Sequence, residues 1–180
     1  MAEILDLQDR RRRLCAGKGY ANWSRRFAES FDEKTTITDL SDPTLGVLIR
    51  GDEEASLCLH DFVMGVMGLG QGLRFHFLDN TMKMSVMDLT FFLLDQLRFE
   101  AMKRLGWLED HPCLHVPMVD LVSFFRDTSP REIYDTPTLA RSHPGFDEYE
   151  KTLGGDRGAY VRRLIPDAIK EFLKRYVPDA

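Results

Sequence analysis

TMKMSVMDLTFFLLDQLRFEAMKRLGWL, residues 81–108, is the stretch whose reading decides the fold. Val86, Met87, Leu93, Leu94, Leu97, Ala101 and Leu105 recur at helical spacing and make one apolar stripe. The other side is not simply polar, because Phe91, Phe92, Phe99 and Met102 stand there beside Asp88, Asp95 and Arg98. A helix that is apolar on most of its circumference is either central in its own domain or covered by a second chain. The period predicts one long helix over Thr81 to Leu108, with the rest of the chain built around it.

Upstream, Asp52, Glu53 and Glu54 stand where acids favour the positive end of a helix dipole. Ala55, Leu59, Phe62, Val63, Val66 and Leu69 then keep a helical period, which predicts a second helix over Asp52 to Leu69. Gly65 and Gly68 interrupt it at about 1 kcal/mol each relative to alanine. Either another backbone approaches closely there or the helix ends early. The run Gly65 to Gly72 lacks the order of a dinucleotide fingerprint and has no P-loop lysine, so close packing is the favoured reading over a phosphate cradle. Ser41-Asp42-Pro43 is a helix-start signal for Thr44 to Arg50, favoured over a strand from Leu45 to Arg50. Leu73 to Leu78 alternates as Leu-Arg-Phe-His-Phe-Leu and reads as a short strand.

Near the N-terminus, Met1 to Arg13 forms a short helix on this reading, broken by Gly17 and Gly19. Tyr20, Trp23, Phe27 and Phe31 lie at spacings of three and four, an aromatic stripe on one helix. Downstream, Pro112, Pro117, Pro130, Pro137 and Pro144 allow only short helices between residues 109 and 158, a segment expected to wrap the bundle. Met118 to Arg126, with Val119, Val122 and Phe124 or Phe125 inward, and Phe146 to Leu153 are candidates. Ala159 to Val177 is strongly amphipathic, and Pro166 either kinks it or starts a second helix. The expected fold is therefore mainly α: a single-domain helical bundle over residues 1–180 around a long central helix, with one or two short strands possible.

Composition agrees with an ordinary globular domain: 180 residues, 43% hydrophobic and 29% charged. A net charge of -5 argues against nucleic acid as the main partner, although Arg10 to Arg13, Lys18, Arg25 and Arg26 form a basic start. Cys15, Cys58 and Cys113 are odd in number and widely spaced, which suits a reducing compartment and predicts a cytoplasmic protein. The N-terminus lacks the apolar core of a signal peptide, and no apolar run of about 20 residues exists to span a bilayer.

Three groups of residues bear on chemistry. His60-Asp61 resembles the adjacent His-Asp pair of metal-dependent phosphohydrolases with helical folds. That resemblance implies a metal held by the pair, by a histidine upstream and by an aspartate downstream, activating water for attack on phosphorus. No histidine precedes His60 here, so the pattern is broken, and His76 is the remaining candidate to join the pair. His111-Pro-Cys113-Leu-His115 sets two imidazoles four apart with a thiol between them, a metal-ligand spacing if helical, which Pro112 opposes. No H-E-x-x-H, C-x-x-C or G-x-S-x-G occurs, and no cofactor motif emerges.

The third group is apolar. Six of the eight methionines lie between Met64 and Met102, interleaved with phenylalanines. Flexible, polarizable methionine is common on adaptable binding surfaces and also in plain cores. Two functions follow. One is a non-enzymatic binding or interaction module that self-associates as a dimer, or takes an apolar ligand, through Phe91, Phe92, Phe99 and Met102. The other is a small metal-dependent hydrolase using His60, Asp61 and His76, with His111, Cys113 and His115 as separate metal candidates.

Overall fold

The structure, a computed structural model, describes residues 2–127 and 136–178, and their side chains except at 2–6, 124–127 and 154–155. Among these residues the chain forms nine α-helices: α1 (Ala2–Gly19), α2 (Ala21–Phe27), α3 (Asp42–Leu48), α4 (Glu53–Met67), α5 (Asn80–Arg104), α6 (Met118–Asp127), α7 (Phe146–Lys151), α8 (Gly154–Arg163) and α9 (Ile165–Tyr176). Three short 3-10 turns join them, at Ile37–Asp39, Gly72–Phe77 and Pro112–His115. The protein is mainly α, as the periodicity predicts. The side chains of Phe124 and Phe125, one of them expected inward, and the whole of Pro130 lie outside what the structure describes.

The starts of the central helices follow from their caps. Ser41 accepts a hydrogen bond from the Thr44 amide at 3.3 Å, Asp52 from Ala55 at 2.8 Å and Asp79 from Met82 at 2.9 Å. Each satisfies an amide that the helix leaves without an internal partner. α4 closes at Gly68, which takes a left-handed φ of 74°, and the Leu69 amide reaches back to the Met64 carbonyl at 2.8 Å. α5 runs for 25 residues, about 38 Å at the standard rise, and carries Lys103 and Arg104 in its last turn.

α5 is central because its own chain covers it. α3, α4, α6 and α9 all pack against it. Phe92, Leu93, Leu97, Phe99, Ala101 and Met102 are buried. Each large apolar side chain hidden this way contributes about 1.5–3 kcal/mol relative to exposure. Phe92, Phe99 and Met102, expected on a face open to a partner, are thus enclosed by this chain. The assignment of Met87 to the core is corrected in the opposite sense, since it is 36% exposed and Phe91 is 57% exposed.

Three other expectations change. α1 continues through Gly17 to Gly19 instead of breaking, because neither glycine takes a positive φ and Gly19 lies against α4. α2 ends at Phe27, where Ala28 turns left-handed with φ 53°, yet Phe31 still stacks on Tyr20 at 5.2 Å. Residues 72–77 make a 3-10 turn and no strand, because among the described residues no second strand pairs with them. The isolated bridges, Thr36 with Pro117 and Leu108 with Leu139, are the β-type pairings of the described residues. Residues 45–50 are helical to Leu48, as favoured, and Pro166 begins a separate helix, α9, in its first turn.

The glycines at 65 and 19 form a packing seam. A Cβ on Gly65 would lie 2.6 Å from the Lys18 carbonyl oxygen and 2.9 Å from the Gly19 Cα. One on Gly19 would lie 2.8 Å from Val66 Cγ2. Both encounters are too close for real atoms, so two backbones meet where neither residue has a side chain. Gly65→Ala is expected to lower the unfolding free energy by about 1–3 kcal/mol, since backbone must move to admit the methyl group. Gly17→Ala, with nothing within 4 Å of its Cβ, is expected to leave stability unchanged or raise it by up to about 1 kcal/mol. Denaturant titration of the two variants checks the contrast, and equal losses would refute the seam.

Candidate functional site

The exposed part of α5 forms one wall of a groove. From α5 come Met87, Phe91 and Leu94, which share a face because their spacings are four and three. α4 supplies Leu59 and His60 opposite them, and Phe75 of the 72–77 turn closes one side. Gly51 and Arg98 lie at one end, with Ser56 and Thr90 also lining the cavity. The groove has a volume of about 400 Å³. That falls in the range of small-molecule sites, which are mostly apolar with a few placed polar groups.

The polar groups of this groove are few and distinct. Thr90 is buried and donates its hydroxyl hydrogen to the Val86 carbonyl at 2.7 Å, which leaves its oxygen able only to accept. His60 stacks on Phe75, with ring centroids 5.2 Å apart and planes within 15°. Burial pushes the His60 pKa below the ordinary imidazole value, and the neighbouring Asp61 charge opposes that only in part. Arg98 donates from Nε to the Ile49 carbonyl at 3.3 Å.

The three residues of the hydrolase reading point in different directions. Asp61 accepts hydrogen bonds from the Gly72 amide and, at 2.7 Å, from Asn22 Nδ2, one on each carboxylate oxygen. It ties the start of the 72–77 turn and α2 to α4. His60, one residue earlier and about 100° round the helix, faces Phe75 and the groove. His76 is exposed, and its ring meets the edge of Phe75 at 6.1 Å. Phe75 therefore contacts both imidazoles.

His111, Cys113 and His115 are likewise engaged locally. His111 is buried and its Nδ1 accepts from the Cys113 amide at 3.3 Å, capping the 3-10 turn. His115 is exposed and meets Asp110 at 2.7 Å. Asp110 also pairs with Lys103 at 2.8 Å, and these partners hold its carboxyl down at about 2. On a 3-10 turn, three residues make one revolution, so positions four apart do not share a face as on an α-helix. Among the described residues, no three His, Cys, Asp or Glu side chains converge to hold a metal ion.

The basic start of the chain is partly neutralised. Arg12 pairs with Asp120, Arg13 with Glu33 at 3.4 Å, and Arg26 with Glu54. No described helix is long and apolar enough to cross a membrane. Of the residues expected to bind a partner, Phe91 alone lines the groove. Phe75 and Met87, which also line it, belong to the methionine- and phenylalanine-rich stretch expected to form a core or a binding surface, whereas Leu94 and Arg98 line it without having been expected there. Compared with protein-family models, curated proteins and solved structures, the chain matches none.

The burial of His60 has a measurable consequence. Above about pH 7.5 the imidazole is neutral in both folded and unfolded chains and contributes no pH dependence. As pH falls through about 6.5, the unfolded chain takes up the proton first, and folding loses stability until the folded imidazole also titrates. The wild-type chain is expected to lose more stability between pH 7.5 and 5.5 than His60→Gln, as read from denaturant midpoints. The same loss in both would place His60 in water.

Proposed function

We propose that this chain is a non-enzymatic binding module whose working surface is the groove between α4, the 72–77 turn and α5. The observation that carries this reading is a 57% exposed Phe91 on the central helix, forming the wall of a 400 Å³ cavity. An exposed large aromatic ring beside a concave apolar surface favours an apolar occupant, because covering both removes hydrocarbon from water. Leu59, Phe75, Met87 and Leu94 supply the remaining apolar lining. The thioether of Met87 adjusts to occupants of different shape.

A second reading, self-association through the same face of α5, is favoured by one observation. Met84, at 57% exposure, extends the row of Met87 and Phe91 beyond the groove. A second copy laid along that row would bury all three. The hydrolase reading draws on His60, Asp61 and His76, but both Asp61 oxygens already accept hydrogen bonds from the fold, which supports a structural role for that carboxylate.

Titration with the uncharged apolar dye Nile red tests the proposal. The wild-type chain is expected to bind it, and Phe91→Asp to weaken binding by about ten-fold or more, as a charge in the groove opposes an apolar guest. Sedimentation of both proteins separates the two readings. A wild-type dimer that Phe91→Asp dissociates supports self-association, and a monomer that binds dye supports a ligand site. Equal dye binding by both proteins contradicts the groove.

A further inference from the structure

One end of the groove holds a cation, Arg98, that no carboxylate of the described residues pairs with. Arg98 is half-buried, and no carboxylate of the described residues lies within 4.0 Å of its guanidinium. Asp95, three residues earlier on α5, instead pairs with Arg162 Nε at 3.1 Å. The Nε of Arg98 is bonded to the Ile49 carbonyl, which leaves the two Nη groups. Gly51 makes room for them: a Cβ there would lie 2.7 Å from Nη2, and its φ of 71° is one that side-chain-bearing residues rarely adopt.

Among the described residues that line the groove, no other carries a permanent charge and none is acidic. Burial pushes the Arg98 pKa down while the Asp95 charge pushes it back up, so the protein itself compensates the buried charge only partly. A partly desolvated cation in the wall of an apolar groove is costly alone and favourable beside an anion. The guanidinium fork suits a planar carboxylate, whose two oxygens accept parallel hydrogen bonds.

We infer that the groove takes a small amphiphile, with an apolar tail along Phe75, Met87 and Phe91 and a carboxylate head on Arg98. The inference rests on the groove being a binding site and adds the chemical class of its occupant. Charge complementarity selects an anion, and the 400 Å³ volume selects a small molecule over a protein segment.

Isothermal titration of the full chain with decanoate and 1-decanol, below their aggregation concentrations, tests this directly. The two probes share a tail and differ in the head. The wild-type chain is expected to bind decanoate about ten-fold tighter than decanol, as a charge-assisted hydrogen bond supplies. Arg98→Met is expected to lose that preference while keeping its affinity for decanol. Arg98→Lys keeps the charge without the guanidinium fork, so it is expected to retain part of the preference. Circular dichroism of each variant reports whether the fold is intact, and Arg98→Lys carries the test should Arg98→Met unfold. Equal wild-type affinity for both probes overturns the carboxylate assignment and leaves the groove reading standing. Binding of neither probe overturns both, and a dimer broken by Phe91→Asp would then put a second copy in the groove.

Discussion

A long helix with apolar side chains on nearly all of its circumference cannot stand in water, so the remaining chain has to wrap it. α5 is that helix, and α3, α4, α6 and α9 supply the wrapping. The cover closes over Phe92, Leu93, Leu97, Phe99 and Met102 and stops short of Met84, Met87 and Phe91. The groove is the place where the wrapping ends. Its existence follows from the core, because the residues that would otherwise be expected to recruit a partner are already enclosed.

Polar contacts fix the two ends of this arrangement. At the C-terminal end of α5, Arg104 pairs with Asp42 at 2.6 Å and Glu100 at 2.8 Å, and donates to the carbonyls of Thr38 and Leu40. Tyr176 of α9 donates to the Arg104 carbonyl at 3.0 Å. One half-buried guanidinium thereby joins α5 to the start of α3 and the turn before it. At the other end, Asp61 holds the Gly72 amide and positions the turn that carries Phe75. The close crossing of α1 and α4 at Gly19 and Gly65 sets α4 in turn. The groove walls are therefore placed by contacts made outside the groove.

The sequence made much of the fold legible, because caps and period are local signals. Asp52 and the helical spacing behind it locate α4, and Ser41 with Pro43 locates α3. What stayed hidden depends on distant partners. A helix apolar all round gives no indication of which side faces inward, so Met87 and Phe92 exchange their expected places. Gly65 reads as a site of close approach, but Gly19 reads as a helix breaker until the two are seen to meet. The alternation at 73–78 suits a strand, yet strands need neighbours and the described residues offer none there. His111 and His115 have the spacing of a metal pair on an α-helix but lie on a 3-10 turn. Arg98 looked like an ordinary polar residue near Asp95, and nothing local announces that Asp95 pairs with Arg162 across 67 positions.

The central claim is that α5 is enclosed by its own chain except along one row. Hydrogen peroxide labelling of the native protein, with each methionine followed by mass spectrometry, tests it most directly, because oxidation tracks access to the thioether. Met84 and Met87 are 57% and 36% exposed, whereas Met64, Met102 and Met118 are fully buried. The account predicts that Met84 and Met87 oxidise quickly, while Met64, Met102 and Met118 oxidise only as the protein unfolds. Rapid oxidation of Met102, or protection of Met84 and Met87 in dilute monomeric protein, would contradict it.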